Sequence, residues 1–507
     1  MHDKTQIMQQ LKAWASEADR GSVVKTEPSQ QQFDAPSYAI FDGCLFHLKK
    51  MAKSEQTVRL TNFVCEITDE ITKLDGENGQ RFFRITGKLK DGRTLPELLI
   101  PAEELDKCDW VVQHWGAQPQ ITVGTRHKDH LVAAIKELSN PAQKVTRLHT
   151  GWVVENGKHG YITNSGKIAI MGLDQSVETE LQGSLENYDL PKPIWTNPDS
   201  PESILQLMDS LLPNGMGLAL FSAVCRSVLS YFARNTMTVF IQGSTGSYKS
   251  AIAGVLLSFF GKNFDGFNLS DNWTSTSNAL EKKAYLCADA LFVIDDFVTR
   301  GTANDVNKIN SKAERVIRAQ GNLAGRDRLT ATTELRGSFV PRGMILATGE
   351  DLPAGHSLRA RMLTFHISKG SVDTNALTEL QNLGACGELA QRLADFIYWL
   401  AMMADTHDVR SAVRNALEKN RLKYLGSGHS RAPDNMASIL VGLHFYLMFA
   451  KNQTDLCPDK VARLFQASVK SGFDFRMLVK IASACLKSFL SIALMPLSIS
   501  CLSRSLS

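Results

Sequence analysis

Three kinds of hydrophobic pattern follow one another along the chain. Between about residues 38 and 197, short apolar segments alternate with polar positions and are separated by turn residues such as Asp91-Gly92, which predicts β-hairpins. After residue 203, strand-like and helix-like apolar segments alternate, which predicts a parallel sheet with helices on both faces. From about residue 373 the apolar positions recur at helical spacing. The fold class predicted is α/β, with a β-rich α+β domain before the parallel sheet and a helical region after it.

Changes in amino-acid composition mark the boundaries between these regions. The polar start predicts a flexible lead-in over 1–34, the proline-rich segment 189–203 a linker, and the repetitive last residues a tail. The predicted domains are therefore 35–197, 198–372 and 373–490, with the tail over 491–507. With 43% hydrophobic residues and a net charge of +4, the chain has material for several cores, and its charge neither requires nor excludes nucleic acid.

Cysteine spacing and hydropathy predict a cytoplasmic protein without a membrane partner. The 9 cysteines form no Cys-x-x-Cys pair, so we expect reduced thiols. The N-terminus has no apolar signal core. The segment 477–496 contains two lysines, Lys480 and Lys487, which favours a packed helix over a membrane span.

A glycine- and serine-rich loop follows the apolar segment at 237–242 and precedes a helical one. It nearly matches the phosphate-binding pattern G-x-x-x-x-G-K-[ST], with Tyr248 where the pattern has glycine. In such a loop the backbone amides surround a phosphate, the lysine reaches the outer phosphates and the hydroxyl binds Mg²⁺. The alternative is a structural turn. The predicted ATP-binding residues are Gly243, Ser244, Thr245, Gly246, Ser247, Tyr248, Lys249 and Ser250.

A second motif supports the first. The apolar segment 291–294 ends in Asp295 and Asp296. At a magnesium nucleotide site, Asp295 would hold Mg²⁺ through water beside the Ser250 hydroxyl, and Asp296 would orient or deprotonate the attacking water. The alternative is a strand that ends in a capping pair of aspartates. Aspartate is one methylene shorter than the glutamate usual at the second position in ring-forming ATPases, which bears on the rate.

Polar residues after a third apolar segment complete the predicted catalytic set, which also includes Lys249. Thr348 ends the segment 343–348 and is predicted to contact the attacking water, with a strand cap as the alternative. Arg359 and Arg361 would share a face if their segment is extended, and either could stabilise the transition state as an arginine finger. A surface ion pair is the alternative for these arginines.

Together, the segments "GSTGSYKS", "NALEKKAYLCADALFVIDDF", "RAQGNLAGRDR" and "RGMILATGED…SLRARML" resemble the helicase-like P-loop ATPases of bacterial mobile elements and phages. These proteins carry a domain of unknown function related to AAA+ and superfamily-three DNA helicases. The resemblance covers about residues 150–370 and implies a P-loop NTPase core of AAA+ type over 198–372, with ATP and Mg²⁺ as cofactors. It also implies a homo-oligomeric ring in which Arg359 or Arg361 acts on the neighbouring copy, and a primase or other replication protein as partner.

Between the second and third motifs the chain is rich in arginine. Residues 326–340 are predicted to form a β-hairpin, and the proposed DNA-binding residues are Arg326, Arg328 and Arg336. A projecting basic hairpin binds phosphate backbones regardless of sequence. A plain basic surface loop is the equal alternative. For a second basic segment, 409–431, a solvated helix face is favoured.

Two functions from different classes remain open. The first is an ATP-hydrolysing DNA motor, of the helicase or translocase kind, in the replication of a mobile element or phage. The second is an ATP-switched binding module that hydrolyses little ATP. A small-molecule kinase lacks support. In the β-rich region His149, His159 and Asp174 are too scattered to predict a metal site, and an adaptor or DNA-docking role is expected there.

Overall fold

The structure is a computed structural model that describes residues 37–51, 54–76, 78–194, 201–325, 328–329, 335–336, 338–425 and 430–453. Internal contacts divide the chain into two compact units. The first contains residues 37–68 and 84–141, and the second contains 69–83 and everything described from residue 142 onward. The predicted lead-in, the helix at 477–496, the tail and Arg326 lie outside the described residues.

The first unit is a β-structure with two helices. Strands β1 (Tyr38–Phe41), β2 (Cys44–Met51) and β3 (Ser54–Arg59) form an antiparallel sheet. They are followed by the first part of β4 (Phe63–Leu74), the second part of β5 (Gly79–Leu89) and β6 (Thr94–Pro101). Gly92, at a φ of 87°, makes the turn between β5 and β6, as the Asp-Gly pair predicts. Helices α1 (Trp110–Trp115) and α2 (His127–Leu138) complete the unit, whose core includes the edge-to-face rings of Trp110 and Trp115.

The second unit begins with short strands. The end of β4 pairs in parallel with β7 (Ala142–Arg147), which pairs in parallel with β12 (Glu178–Thr179). An antiparallel sheet contains β8 (Gly151–Glu155), β9 (Lys158–Thr163), β10 (Gly166–Ala169) and β11 (Gly172–Asp174). Trp152 and Tyr161 from this sheet belong to the same core cluster as the helices that follow. Residues 142–194 therefore group with the later part of the chain, whereas the predicted boundary lay at residue 197.

A five-stranded parallel sheet forms the centre of the second unit. Its order is β14 (Asp271–Asn272), β15 (Leu291–Phe297), β18 (Met344–Gly349), β13 (Thr238–Gln242) and β19 (Met362–His366). The register sets Gln242 beside Gly349 and Ile294 beside Ala347, so these strands end at one edge of the sheet. The three inner strands are almost wholly buried, as their continuous apolar sequences predict.

Helices cover this sheet and supply most of the core. The helices before and between its strands are α3 (Pro201–Leu211), α4 (Met216–Val228), α5 (Lys249–Ser258), α6 (Ser277–Leu286), α7 (Ala303–Asn322) and α8 (His356–Arg359). Those after the sheet are α9 (Thr374–Ala385), α10 (Glu388–Thr406), α11 (Val409–Leu422) and α12 (Ala432–Gln453). Helix α4 is buried over Gly217–Val228 and packs against α12, where Ser222 Oγ accepts a hydrogen bond from Leu443 N at 2.7 Å.

The apolar segments at 237–242, 291–294 and 343–348 form strands β13, β15 and β18, each within three residues of those bounds. A short turn at Pro213–Gly215 separates α3 from α4, and in it Asn214 and Gly215 have positive φ angles. The two edge strands, β14 and β19, were not predicted. Among the described residues no single helix is long and apolar enough to cross a membrane, and Ser203–Leu211 with Pro213–Tyr231 reaches that length only as a pair bent by 99°.

Candidate functional site

The loop that resembles a phosphate-binding loop lies between β13 and α5, at the edge where the inner strands end. Its first glycine is required by space, because a Cβ on Gly243 would lie 2.5 Å from both Ile367 O and Ser247 Oγ. Ser247 Oγ donates to Ser244 O at 2.8 Å and thereby closes a turn within the loop. Gly246, at a φ of 78°, occupies the left-handed region that glycine enters without steric cost. The strand, the tight loop and the helix therefore follow in the order that the motif needs.

Tyr248 explains why the usual pattern has glycine at its position. Its φ of 63° places it in the left-handed region, which is unfavourable for a residue with a side chain. It is the residue immediately before α5, and its side chain is 47% exposed. About half of the Tyr248 side chain is therefore open to solvent.

Lys249 and Ser250 open helix α5 and face different partners. The Lys249 ammonium donates to Ser244 O at 3.1 Å, so this side chain folds back over the loop. Ser250 Oγ lies 3.1 and 3.0 Å from the two carboxylate oxygens of Asp295, at the end of a neighbouring buried strand. A hydroxyl and a carboxylate 45 residues apart in sequence are thus in direct contact.

Thr348 joins the two acidic positions. Its hydroxyl donates to Asp295 Oδ1 and accepts a hydrogen bond from Asp296 N at 3.0 Å. The side chain is fully buried. Thr348 therefore contacts both acidic positions, and its contact with the attacking water stays a prediction.

Asp296 lies in an irregular part of its strand. Its φ is 64°, and the pairing of β15 with β18 shifts register between Ile294 and Phe297. A β-bulge of this kind redirects a side chain out of the regular alternation. The Asp296 side chain is exposed as a result, at the same edge as the loop.

Three charged residues near the loop were not among the predicted site residues. Glu350, two residues after Thr348, accepts a hydrogen bond from Thr245 Oγ1 and pairs with Arg300 at 2.6 Å. The hydrogen bond from Thr245, followed by the charges of Arg300 and Lys249, lowers the pKa of Glu350 despite some desolvation. The Lys369 side chain comes within 4.0 Å of the place where a Cβ on Gly246 would lie. A polar residue just past a strand end was the available signal for Glu350, but nothing local in sequence points to Arg300 or Lys369.

Arg359 and Arg361 are not brought to this loop. Arg359 ends the short helix α8, so the segment is not extended as the shared-face argument required. Arg361 O accepts a hydrogen bond from Thr238 N, at the amino end of β13, while the loop follows the carboxyl end of that strand. The Arg361 guanidinium is held by Asn322 Oδ1 at 2.9 and 3.1 Å. Within one chain, Arg361 is therefore separated from the loop by the length of a strand.

The predicted basic hairpin is present as a short antiparallel pair. Strand β16 (Arg328–Leu329) pairs with β17 (Leu335–Arg336), and the register sets Arg328 opposite Arg336. Residues 330–334 lie outside the described part of the chain. The second basic segment largely forms helix α11, in which Val409, Val413 and Asn420 are buried.

Few known proteins are similar to this chain in sequence. A family model described as "Domain of unknown function (DUF927)" matches residues 206–312. That segment includes the loop and Asp295, and the match confirms the resemblance to proteins that carry a domain of unknown function. No curated protein matches the chain.

The similar solved structures include helicases. One, described as "SCCmec type IV Cch - active helicase", is 13% identical, covers 91% of this chain and 79% of its own, and has a TM-score of 0.47. The NrS-1 C-terminal region is 13% identical over 73% of this chain and 85% of its own, at a TM-score of 0.28. An inhibitor-bound JCV helicase is 17% identical, and the match covers 47% of this chain and 64% of the helicase, with a TM-score of 0.22. These TM-scores are too low for the similarity to establish the fold or the function of this chain.

Proposed function

We propose that residues 243–250 bind ATP with Mg²⁺ and that the chain hydrolyses it as a motor acting on DNA. The observation that carries the proposal is the contact between Ser250 Oγ and the Asp295 carboxylate, at 3.0 and 3.1 Å, beside a loop of phosphate-binding sequence. Hydroxyl and carboxylate oxygens are the ligands that Mg²⁺ prefers, so these residues fit the ion. When bound, Mg²⁺ would neutralise charge on the phosphates.

The remaining groups have roles that follow from their positions. The loop amides and the start of α5 form an anion-binding end, and the Lys249 ammonium already lies over the loop. Thr348 holds Asp295 in place through its hydroxyl. Asp296 is the exposed carboxylate of the site, and it is the group proposed to orient or deprotonate the attacking water.

DNA contact and assembly extend the proposal beyond a single site. The facing positions of Arg328 and Arg336 concentrate positive charge on one hairpin, which suits a phosphate backbone. Arg359 and Arg361 lie away from their own loop, so a finger role for either requires a second copy of the chain. We propose a homo-oligomeric ring acting on single-stranded or forked DNA during replication of a mobile element or phage, with a primase or another replication protein as partner.

The deciding experiment measures ATP hydrolysis by the full chain with and without single-stranded and forked DNA, across a salt series. We expect DNA to stimulate hydrolysis and Lys249→Ala to reduce it at least about 100-fold, since the lysine contacts the phosphates. Lys262→Ala is a matched control, because Lys262 is an exposed lysine just beyond the same helix. Hydrolysis that no nucleic acid alters at any salt concentration would exclude the motor.

A second candidate is an ATP-switched module that binds DNA or protein and hydrolyses little. The left-handed backbone at Tyr248 and Asp296 favours it, because both residues lie in strained conformations at the positions that differ from the usual motifs. Tight ATP binding with negligible turnover, even on DNA, would support this alternative over the motor.

A further inference from the structure

A separate cavity lies at the opposite edge of the parallel sheet, within the same compact unit. Its volume is about 410 Å³. The residues before three sheet strands contribute to its wall: Asp289 before β15, Arg342 before β18 and Arg234 before β13. Because the phosphate-binding candidate follows the carboxyl end of β13, the cavity and the loop are at different ends of the same strands.

The wall of this cavity is strongly basic. Four arginines line it, and Asp289 is the single acidic residue among its described lining residues. Two arginines are held by the protein: Arg342 donates to Tyr285 O at 2.7 Å and to Asp75 O at 2.8 Å, and Arg147 pairs with Glu155 at 2.6 Å. The other two, Arg234 and Arg410, are exposed, and the Arg410 guanidinium lies 5.2 Å from the centre of the Tyr231 ring. Clustered guanidiniums of this kind bind phosphate groups.

His149 adds a hydrogen-bond acceptor to the same wall. Its Nδ1 lies 2.7 Å from Thr150 O, so Nδ1 carries the proton and Nε2 carries the lone pair. Burial and the neighbouring Arg342 lower the pKa of His149 to about 4, which keeps the ring neutral. The residue is only 2% exposed, and Nε2 has no hydrogen-bond partner among the described residues. A buried acceptor without a partner among the described residues is a place where a ligand can supply the donor.

The ligand that satisfies both features carries an anionic group together with a hydroxyl or amino donor. Inorganic phosphate supplies the anion, and its only donor is a P–OH on that same group, whereas a nucleoside supplies donors without the anion. A nucleotide matches both, and the cavity volume lies within the usual range for small-ligand sites of about 300–1,000 Å³. Trp152 and Tyr231 are also among the lining residues.

We propose that this cavity is a second nucleotide site, in which the arginines bind the phosphate and His149 Nε2 accepts a hydrogen bond from the sugar or base. The nucleotide is either free or part of a nucleic acid strand. This site is distinct from the loop at 243–250 and does not depend on ATP hydrolysis there.

The test uses Lys249→Ala protein, in which the first site is disabled, and measures binding of AMP by calorimetry. AMP is a suitable probe because the loop at 243–250 is built around β- and γ-phosphates, which AMP lacks. We expect saturable AMP binding that weakens at least about tenfold when Arg234 and Arg410 are both replaced by alanine. Both are exposed, so the double variant is expected to fold. Arg414→Ala is the matched control, since Arg414 is an exposed arginine one turn further along α11.

Further probes separate the possible ligands. Adenosine and inorganic phosphate should each bind at least about tenfold more weakly than AMP, and His149→Leu should weaken AMP more than phosphate. Where AMP does not bind, a short oligothymidylate whose affinity falls at least about tenfold in the arginine variant, but not in Arg414→Ala, would assign the nucleotide to a strand. The proposal is overturned if neither ligand binds saturably, if loss of both arginines changes the affinity of neither ligand, or if phosphate binds as tightly as AMP.

Discussion

Two carboxylates at opposite edges of the same sheet respond to their surroundings in opposite ways. Glu350 follows β18, accepts a hydrogen bond from Thr245 and pairs with Arg300, and its pKa is lowered. Asp289 precedes β15 and is 5% exposed, and burial raises its pKa to about 7 although Arg342 and Arg234 oppose the shift. Burial dominates at one edge and specific partners dominate at the other.

The difference comes from what covers each edge. The short strands before residue 175 close the amino edge: Trp152 N donates to Asp289 Oδ2 at 3.0 Å and Tyr161 OH donates to Asp289 O at 2.9 Å. Gly151 permits this approach, because a Cβ there would lie 2.6 Å from Ala288 O. The carboxyl edge ends in loops that leave Lys249 and Asp296 accessible. The accessible carboxyl edge therefore suits a reaction on a large phosphate ligand, and the covered amino edge suits binding of a small ligand in a cavity.

The largest expected effect is at the open edge. Asp295→Asn should reduce ATP hydrolysis by about 100- to 1,000-fold, because the amide lacks the charge that we propose holds Mg²⁺. Steady-state hydrolysis at saturating ATP measures the effect. Asp305→Asn is a suitable control, since that exposed aspartate caps α7. Equal loss in both variants would place the effect in folding rather than in the site.

At the covered amino edge, the titration of Asp289 should make the free energy of unfolding depend on pH. With a folded pKa of about 7 and an unfolded pKa of about 3.9, the folded state binds more protons at Asp289 between these values. The free energy of unfolding contributed by Asp289 therefore falls as pH rises through this window. Asp289→Asn removes the titration, so the variant does not lose this stability as pH rises. The free energy of unfolding of the variant minus that of the parent should therefore increase by about 2–4 kcal/mol between pH 4.5 and pH 7.5.

Denaturant unfolding at both pH values measures this change, and Asp351→Asn provides the contrast. The hydrogen bonds from Thr299, followed by the charge of Arg300, lower the pKa of Asp351. Its contribution to stability is therefore present above about pH 4 and is lost as pH falls below that value. If the difference in the free energy of unfolding between the parent and Asp289→Asn is the same at both pH values, burial does not raise the pKa of Asp289 and the contrast between the two edges is lost.

Thr348→Val tests the positioning of Asp295 by a single hydroxyl. Valine keeps the shape but leaves the Asp296 amide and Asp295 Oδ1 without this partner, at an expected cost of about 1–3 kcal/mol in stability. We expect hydrolysis to fall more than ATP affinity, and Thr348→Ser to restore both. Failure of serine to restore activity would show that packing, not the hydroxyl, matters.

The smallest expected effect concerns Tyr248. Because glycine enters the left-handed region freely, Tyr248→Gly should raise the free energy of unfolding by about 0.5–1 kcal/mol, after the entropy cost of glycine is included. Thermal unfolding with Tyr248→Ala as control measures it, since alanine retains the unfavourable φ. A gain with alanine equal to that with glycine would show that the side chain, rather than the backbone, is responsible.

Local patterns were sufficient for the inner strands and for the order of the loop, Asp295 and Thr348, because each depends on short runs of residues. They did not predict β14 or β19, which are short or edge strands with weak apolar signals. The shared-face argument for Arg359 and Arg361 assumed an extended segment, and a four-residue helix is found instead. The hydrogen bonds of the Thr348 hydroxyl with Asp295 Oδ1 and Asp296 N could not be predicted, because they join two different strands.

The amino-acid sequence alone determined that a strand, a phosphate-type loop and a helix succeed one another, since glycine, lysine and apolar spacing act over a few residues. Only the tertiary structure decided that Ser250 contacts Asp295, that Glu350 contacts Thr245, and that arginines from distant segments line one cavity with His149. These contacts depend on strand order and register in the sheet, which are set by long-range packing and leave no local mark in the chain.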